Sequence, residues 1–316
     1  MKVTAKAPIN IALIKYWGKQ PSADIKPYND SISLTLDALY TITTVETHPE
    51  GLFSYRLNDR LILGNDLTRI WYFLQTYFPK FKANPSLKIT AKNHVPTAAG
   101  LASSASGFAA LTLALARYYK MSETPEDLAK IAKQGSGSSA RSFYGGYVSW
   151  KTDGTIAKIP GDTDTLCFVI VLVDANEKYL SSREAMKRTV ATAHSYHTYV
   201  KESQKKALNM EKAIADNDFS TIGRLTETHA RHMHETMSSA MPPIQYLTNE
   251  SRKVLDVVAK MQDQGIKAYA TMDAGSNVKI LTKTNHLDDI QTFLHNHGYR
   301  DLILSKISNK GAEILE

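Results

Sequence analysis

The chain has 316 residues, of which 43% are hydrophobic and 22% charged, with a formal net charge of +7. This composition is typical of a soluble globular protein, and the length suits one large or two medium domains that need no disulfide or structural metal. The basic excess suits an acidic partner, but the basic residues are scattered, which favours a small anionic ligand over nucleic acid.

Three observations predict a cytoplasmic protein that does not associate with a membrane. The single cysteine, Cys167, can form no disulfide within the chain, which fits a reducing compartment, and it is expected to be a buried strand residue. Residues 1–10 lack the apolar segment of a secretory signal, and the longest apolar run, residues 166–173, is too short to span a bilayer.

Hydrophobic periodicity predicts strands mixed with helices along the chain. Asn58 and Asp59 are expected at the turn of a hairpin, and Thr124 and Pro125, followed by acidic residues, form a typical helix start. The predicted strands and hairpins cover residues 2–7, 31–36, 40–45, 53–63, 87–91, 147–150, 166–173, 267–272, 278–282 and 302–304. The predicted helices cover residues 67–78, 108–119, most of 181–237, 248–264 and 287–296.

Residues 93–108 (NHVPTAAGLASSASGF) form a dense run of small residues between a predicted strand and a predicted helix. Gly100 and Gly107 allow the backbone to approach a ligand closely. A helix that begins at such a loop directs free N–H groups and the positive end of its dipole toward it, which favours phosphate. A flexible linker is the alternative. No lysine closes the loop as in GxxxxGK[ST], so the sequence predicts an anion-binding loop of another kind.

Three further segments combine charges or hydroxyls with small residues. Residues 7–19 contain the run KYWGK, residues 135–141 read GSGSSAR, and residues 272–277 read MDAGSN. A Gly/Ser loop followed by Arg141 suits an anion, because arginine binds a carboxylate or phosphate bidentately. Asp273, taken alone, lies where an aspartate is most often a turn former.

His229, His232 and His234 form a cluster that could suggest a metal site. His229 and His232 share a helix face, but His234 points elsewhere, and no carboxylate or cysteine stands at ligand spacing. We therefore expect a partly exposed helix face.

With these motifs the chain resembles the diphosphomevalonate decarboxylases, a family of the GHMP kinase superfamily. The loop PTAAGLASS resembles the ATP-phosphate loop of the superfamily, whereas KYWGK and the Asp-Ala-Gly turn resemble the decarboxylase branch. The matching segments span almost the whole chain in the family order and are residues 7–19, 29–36, 96–108, 135–147 and 272–278.

The resemblance implies an α+β protein with the GHMP kinase fold. Residues 1–175 would form an N-terminal α/β ATP-binding domain like ribosomal protein S5 domain 2. Residues 176–316 would form a C-terminal ferredoxin-like α+β domain, with the active site in the cleft between the two. A homodimer is implied, without a nucleic-acid or membrane partner.

The resemblance also implies a reaction. ATP would phosphorylate the C3 hydroxyl of mevalonate 5-diphosphate, after which phosphate and CO2 leave and isopentenyl diphosphate remains, with ATP and Mg2+ as cofactors. The implied catalytic residues are Asp273, Lys15 and Arg141. Asp273 would orient the C3 hydroxyl or accept its proton, and Lys15 would lie beside the Asp273 carboxylate. Arg141 would clamp the carboxylate of the substrate. The implied substrate-binding residues are Asn10, Tyr16, Lys19, Ser136, Gly137, Ser138, Arg141, Ser181 and Ser182. The implied ATP-binding residues are Asn93, Pro96, Ala99, Gly100, Leu101, Ala102, Ser103, Ser104 and Ser106, with Ser103 or Ser104 as a candidate contact of Mg2+.

Two positions depart from the family pattern. The acidic turn usually reads Asp-Ala-Gly-Pro-Asn, and here Ser276 replaces proline. Many members carry Asn-Asn before the phosphate loop, where this chain has Lys92 and Asn93. Neither change touches the reacting groups, but the second lies near the expected nucleotide site.

Alternative functions remain open at this point. One is a kinase that stops at phosphorylation, such as a mevalonate 3-kinase relative, although the presence of both Lys15 and Asp273 argues against it. Another is a superfamily kinase for homoserine or a sugar, which the KYWGK run disfavours. A nucleic-acid-binding module would need a clustered basic face, and the sequence shows none.

Overall fold

The structure, a computed structural model, describes residues 1–22, 24–94, 103–173 and 179–315. Helices and strands are both abundant and the strands form two sheets, which confirms the α+β class. The strands are β1 (Lys2–Ile14), β2 (Ser31–Thr47), β3 (Phe53–Leu57), β4 (Arg60–Leu61), β5 (Leu87–His94), β6 (Tyr147–Trp150), β7 (Ile156–Ile159), β8 (Leu166–Val171), β9 (Tyr269–Met272), β10 (Val278–Lys283), β11 (Leu302–Lys306) and β12 (Glu313–Ile314). The α-helices are α1 (Gly64–Tyr77), α2 (Pro79–Ala83), α3 (Ser103–Tyr118), α4 (Pro125–Gly135), α5 (Ser182–Thr192), α6 (Tyr196–Ala215), α7 (Phe219–Ser238), α8 (Asn249–Asp263) and α9 (Leu287–Asn296), and 3₁₀ turns cover Gly137–Phe143 and Thr284–His286.

The first sheet has the order β12-β1-β2-β5-β3-β4, and β6 and β7 extend it from β2. Its centre is the long antiparallel pair β1–β2, which has a register shift where Pro8 pairs with Tyr40 and Asn10 with Thr35. Helix α3 packs on β1 and β2, so the start of α3 lies beside the sheet. The end of the chain returns to this sheet, because β12 pairs with β1.

The second sheet is antiparallel in the order β11-β8-β10-β9. Every residue of β8 is buried, which confirms that the apolar run containing Cys167 is covered on both faces. Helix α7 packs on β9 and also reaches β1 of the first sheet. One apolar core spans both sheets, since Ile9 and Leu34 from the first cluster with Phe168 and Ile170 from the second and with Met210 of α6.

Local sequence signals mostly predicted the elements correctly. Thr124 caps α4 in a capping box with Pro125 in the first turn, and Asn58 and Asp59 adopt positive φ angles of 48° and 64° at the β3–β4 turn. The two strands expected at 31–36 and 40–45 are one strand, because the register shift against β1 absorbs the residues between them. Within the described residues, none of the helices combines the length and apolarity needed to cross a membrane.

The domain boundary expected between residues 175 and 176 falls outside the described residues. Strand β8 precedes that boundary, yet it pairs with β10 and β11 of the second sheet. The boundary therefore stays a prediction. The pairing of β8 with strands of the second sheet favours a position before β8.

Candidate active site

Lys15 and Asp273 meet where the two sheets adjoin. Lys15 follows the end of β1 and Asp273 follows the end of β9. The Lys15 ammonium donates hydrogen bonds to Asp273 Oδ1 at 2.7 Å and to the Ala12 carbonyl at 3.0 Å. Lys15 is buried, whereas a quarter of the Asp273 side chain is exposed. The pair that the resemblance implied is thus in contact, and part of the Asp273 side chain is exposed to solvent.

The peptide group of Lys15 is held by side chains from three other segments. Its N–H donates to His229 Nδ1 at 3.2 Å, and its carbonyl accepts from Asn29 Nδ2 at 2.9 Å and from the Tyr199 hydroxyl at 3.0 Å. Because His229 Nδ1 accepts this hydrogen bond, the neutral ring carries its hydrogen on Nε2, which lies 2.9 Å from the Ser203 hydroxyl. These bonds fix the position of the Lys15 backbone. The lysine side chain therefore reaches Asp273 from a fixed starting point.

The expectation of a partly exposed histidine face was wrong. His229 is fully buried and His234 nearly so, because α7 packs against both β1 and β9; only His232 is half-buried. Burial, reinforced by nearby cations including Lys15, lowers the pKa of His229 well below 6.5, so the ring stays neutral as the acceptor requires. No cluster of three His, Cys, Asp or Glu side chains suited to a metal occurs in the described ranges.

Arg141 is a buried cation held by neutral groups. Its Nε donates to Asn10 Oδ1 at 3.2 Å and its Nη1 to the Ser31 hydroxyl at 2.6 Å. Asn10 is fixed in turn by donating to the Ser138 carbonyl and the Ser142 hydroxyl. Burial lowers the pKa of Arg141 to about 10, so it remains charged near neutral pH. Because a buried charge is costly unless paired, this arrangement suits an incoming anion.

Lys279 is a site residue that the sequence reasoning missed. It lies in β10, is fully buried, and places its ammonium 3.2 Å from Asp273 Oδ2. Burial alone would raise the pKa of Asp273, but the ammonium groups of Lys15 and Lys279 outweigh burial and lower it well below the usual range. The available signal was a single lysine in the apolar strand directly after the acidic turn, but only the fold shows that the strand is buried.

Lys19, Arg69 and Arg183 form a second group of cations, and the sequence reasoning had found only the first of them. Both arginines donate to the carbonyl of Gly135 at the end of α4, where positive charge also complements the helix dipole. Burial, together with the charges of Arg183 and Arg69, lowers the pKa of Lys19 from 10.5 to about 8. Such mutual repulsion indicates a site prepared for a polyanion.

Tyr16 and the Gly/Ser segment lie next to these cations. A Cβ at Gly137 would lie 2.7 Å from the Tyr16 hydroxyl, so only glycine allows the close approach seen here. Burial raises the pKa of Tyr16 to about 12, which keeps its hydroxyl a neutral donor. The segment predicted as a loop forms a 3₁₀ turn, stabilised by the Ser139 N–H and hydroxyl donating to the Ser136 carbonyl. Ser138 lies half-buried beside it.

The two candidate serines before α5 differ in their surroundings. Ser181 is the N-cap: its hydroxyl accepts from the Glu184 N–H and donates to the Glu184 carboxylate at 2.6 Å. Ser182 occupies the first helical position and is half-buried. The capping box therefore favours Ser182 over Ser181 as the hydroxyl available to a ligand.

The start of α3 carries the described part of the predicted ATP loop. The Ser104 hydroxyl is exposed and lies 3.2 Å from the Ser136 hydroxyl, so the two Gly/Ser segments meet. Ser103 is half-buried, whereas Ser106 is buried and bonded to the Thr41 hydroxyl at 2.7 Å. Asn93 lies in β5 next to β2, and its side-chain oxygen accepts a hydrogen bond from the Thr41 hydroxyl at 2.9 Å. The remaining predicted residues, Pro96, Ala99, Gly100, Leu101 and Ala102, lie outside the described residues.

The fold and the site together define a class of protein. Two sheets share one core, and at their junction a single carboxylate lies between two lysines, with a buried arginine and a further cationic group nearby. This arrangement is typical of an enzyme of the α+β class that binds a small polyanionic substrate where its two sheets adjoin.

Comparisons with known proteins identify the family. Residues 7–164 match the model of the diphosphomevalonate decarboxylase-like N-terminal domain, and residues 168–310 match that of the mevalonate 5-diphosphate decarboxylase C-terminal domain. The diphosphomevalonate decarboxylase of Ganoderma lucidum is 33% identical, and the match covers 92% of this chain and 80% of that protein. The chain belongs to the diphosphomevalonate decarboxylase family.

Solved structures agree with this assignment. The mevalonate diphosphate decarboxylase of Staphylococcus aureus matches with a TM-score of 0.93 and 35% identity, covering 100% of this chain and 98% of that one. A structure described as "MDDEF in complex with MVAPP, AMPPCP and Magnesium" matches with a TM-score of 0.93 and 36% identity, covering 100% and 99%. The two-domain GHMP kinase fold expected from the resemblance is thereby confirmed.

Proposed function

We propose that this chain converts mevalonate 5-diphosphate and ATP into isopentenyl diphosphate, ADP, phosphate and CO2. Family membership supports the reaction. The observation that carries it in this chain is the Lys15–Asp273 pair, joined at 2.7 Å across the junction of the two sheets beside the buried cation Arg141. The reaction needs a group that orients a hydroxyl and a cation that receives a carboxylate, and these side chains can supply both.

Asp273 orients the C3 hydroxyl in this proposal rather than acting as a strong base. Two ammonium groups lower its pKa well below the usual range against the effect of burial, so the carboxylate is ionised but binds a proton weakly. Phosphoryl transfer depends mainly on positioning and charge stabilisation. Accepting a hydrogen bond from the hydroxyl aligns its oxygen with the γ-phosphorus, which is the contribution such a weak base can make.

Arg141 receives the substrate carboxylate. The guanidinium is fixed by Asn10 and Ser31, and both are neutral, so its charge is left for the ligand. After phosphorylation the C3–O bond breaks and phosphate leaves with its bonding electrons. The electron pair of the adjacent C–C bond then forms the double bond as CO2 departs. Holding the carboxylate in one orientation aligns that bond with the breaking C3–O bond.

The diphosphate occupies the second cation group in this proposal. Lys19, Arg69 and Arg183 supply charge there, and Tyr16 supplies a neutral hydroxyl. The segment Ser136, Gly137 and Ser138, together with Ser182, supplies further donors. The close approach of Gly137 to Tyr16 places the backbone of this segment next to the Tyr16 hydroxyl.

ATP is delivered from the start of α3. Ser103 and Ser104 lie in the first turn of a helix of 16 residues, where free N–H groups and the dipole favour phosphate. Bound to the ATP phosphates, Mg2+ would neutralise charge that develops during transfer. Of the two candidate serines, Ser104 has the more exposed side chain and is the better candidate to contact the ion beside the phosphates. Ser106 is turned into the core and supports the helix start.

The test is incubation of the chain with ATP and carboxyl-labelled mevalonate 5-diphosphate, with ADP and labelled CO2 measured together. The proposal expects equal amounts of both products. A 3-phosphorylated product without CO2 would instead identify a kinase that stops after the first step.

Three further properties belong to the same proposal. The pairing of β8 with β10 and β11 supports a domain boundary before Leu166 rather than at residues 175–176. A homodimer is proposed from the family resemblance, and sedimentation velocity tests it. A cytoplasmic location is proposed from the single buried cysteine, and fractionation of expressing cells tests it.

A further inference from the structure

Lys279 occupies a position that stability alone does not account for. It lies in the apolar strand β10, and its side chain is fully buried. Taking an ammonium out of water is expensive, and replacing a whole buried ion pair by well-packed hydrophobic side chains is often neutral or stabilising, so an ion pair of this kind is weak evidence of a stabilising role. Its ammonium makes no aligned hydrogen bond to the described residues and contacts only Asp273 as an ion pair.

The hairpin β9–β10 sets the geometry of this contact. Lys279 pairs with Thr271 across the two strands, and Asp273 leaves the end of β9 two residues later. The turn therefore brings the carboxylate back over the lysine. Lys15 approaches from the first sheet and binds Oδ1, while Lys279 approaches from the second sheet and lies 3.2 Å from Oδ2. The two oxygens of the Asp273 carboxylate are thus each bound by one lysine, and the two lysines come from different sheets.

The charges around Asp273 are unbalanced. Lys15, Lys279 and Arg141 are buried cations that act on it, and neutral His234 faces it from α7. Both lysines lower the pKa of Asp273 in the free protein, against the effect of burial. Anionic substrate and ATP entering the cleft would raise the pKa of this carboxyl, because like charges disfavour ionisation. A second ammonium offsets that effect.

We propose that Lys279 is a positioning residue of the reaction: it holds Oδ2 of Asp273, so that the carboxylate keeps its orientation and its charge while substrate and ATP are bound. This inference rests on the role proposed above for Asp273. It assigns to the second sheet a direct part in fixing the catalytic carboxylate.

The test compares Lys279→Met with Thr271→Val, both close in size to the residues they replace. The control removes a buried hydroxyl that has no partner among the described residues, on the cross-strand neighbour of Lys279. Lys279→Met should lower kcat about tenfold, with KM changed by about twofold at most, because a small misplacement of a catalytic group is costly. The acid limb of kcat, which reports the substrate complex, should move to higher pH. Thr271→Val should match the parent in kcat and in the pH of the acid limb.

The outcomes separate the inference from the proposed function. A parental kcat and an unmoved acid limb in Lys279→Met would overturn the inference, while CO2 release by the parent would leave the proposed function intact. If Lys279→Met does not fold, Lys279→Arg replaces it: the retained charge should keep the acid limb at the parental pH, and a shifted limb would refute the charge argument. Failure of the parent to release CO2 would instead overturn the proposed function.

Discussion

The titration of Lys19 should limit substrate capture at alkaline pH. Burial and the charges of Arg183 and Arg69 lower its pKa to about 8. Only the protonated ammonium attracts a diphosphate, and each pH unit above the pKa leaves about one-tenth as many protonated groups. Since kcat/KM reports the free enzyme, kcat/KM for mevalonate 5-diphosphate should fall up to about tenfold per pH unit above about pH 8.

Lys19→Arg isolates this effect, because a guanidinium stays protonated throughout the accessible range. The basic limb near pH 8 should disappear in this variant, even if kcat/KM at neutral pH is lower. Lys187→Arg is the matched control: it makes the same change at an exposed position of α5, one turn beyond Arg183, and should keep the parental limb. The assay is kcat/KM from initial rates of ADP formation between about pH 7 and about pH 10. A basic limb retained in Lys19→Arg would refute the reasoning.

The same shift has a consequence for folding. Because the folded-state pKa of Lys19 lies below its ordinary value of 10.5, the unfolded chain binds more protons between about pH 8 and about pH 10.5. The contribution of Lys19 to the free energy of unfolding should therefore increase as pH rises through that window. Denaturant titrations of the parent and Lys19→Arg should show this gain in the parent alone.

Substitutions at two other residues test the positioning of the site. Arg141→Gln should cost about 2–5 kcal/mol in kcat/KM, because the substrate carboxylate loses its charged partner, and steady-state kinetics matching the parent would remove the clamp role. His229→Asn keeps an acceptor near the Nδ1 position for the Lys15 N–H and should keep most of kcat, whereas His229→Leu removes it and should lower kcat about tenfold. Equal kcat values in the two His229 variants would show that the bond to Lys15 does not matter for turnover.

Elements with strong local signals were predictable from the sequence. Helix α9 covers Leu287–Asn296 as expected, and Thr124 and Pro125 begin α4 as expected, because caps and amphipathic spacing act over a few neighbouring residues. The prediction of two strands at residues 31–36 and 40–45 was wrong, because the continuity of β2 depends on its pairing with β1 rather than on its own residues. The short elements α2, β7 and β12 carried too few residues for a periodic signal.

Site residues that belong to a recognisable sequence motif were predictable. Site residues that depend on how the chain folds were not. Lys15, Asp273 and Arg141 came from recognisable segments, and the structure brings them near one another, with Lys15 and Arg141 buried. Lys279 was missed because it resembles an ordinary strand residue, whereas His229 was noticed but wrongly assigned to a partly exposed helix face. Their burial and their contacts depend on the packing of the second sheet and of α7 against β1, which no short sequence window contains.

The stoichiometry of a single turnover tests the central claim most directly. Chain mixed with ATP and a limiting amount of carboxyl-labelled mevalonate 5-diphosphate should release one CO2 for each ADP formed. Asp273→Ala should form neither product, while nucleotide binding measured by calorimetry stays near the parental affinity. ADP formed without CO2 by the parent, or undiminished CO2 release by Asp273→Ala, would contradict the account.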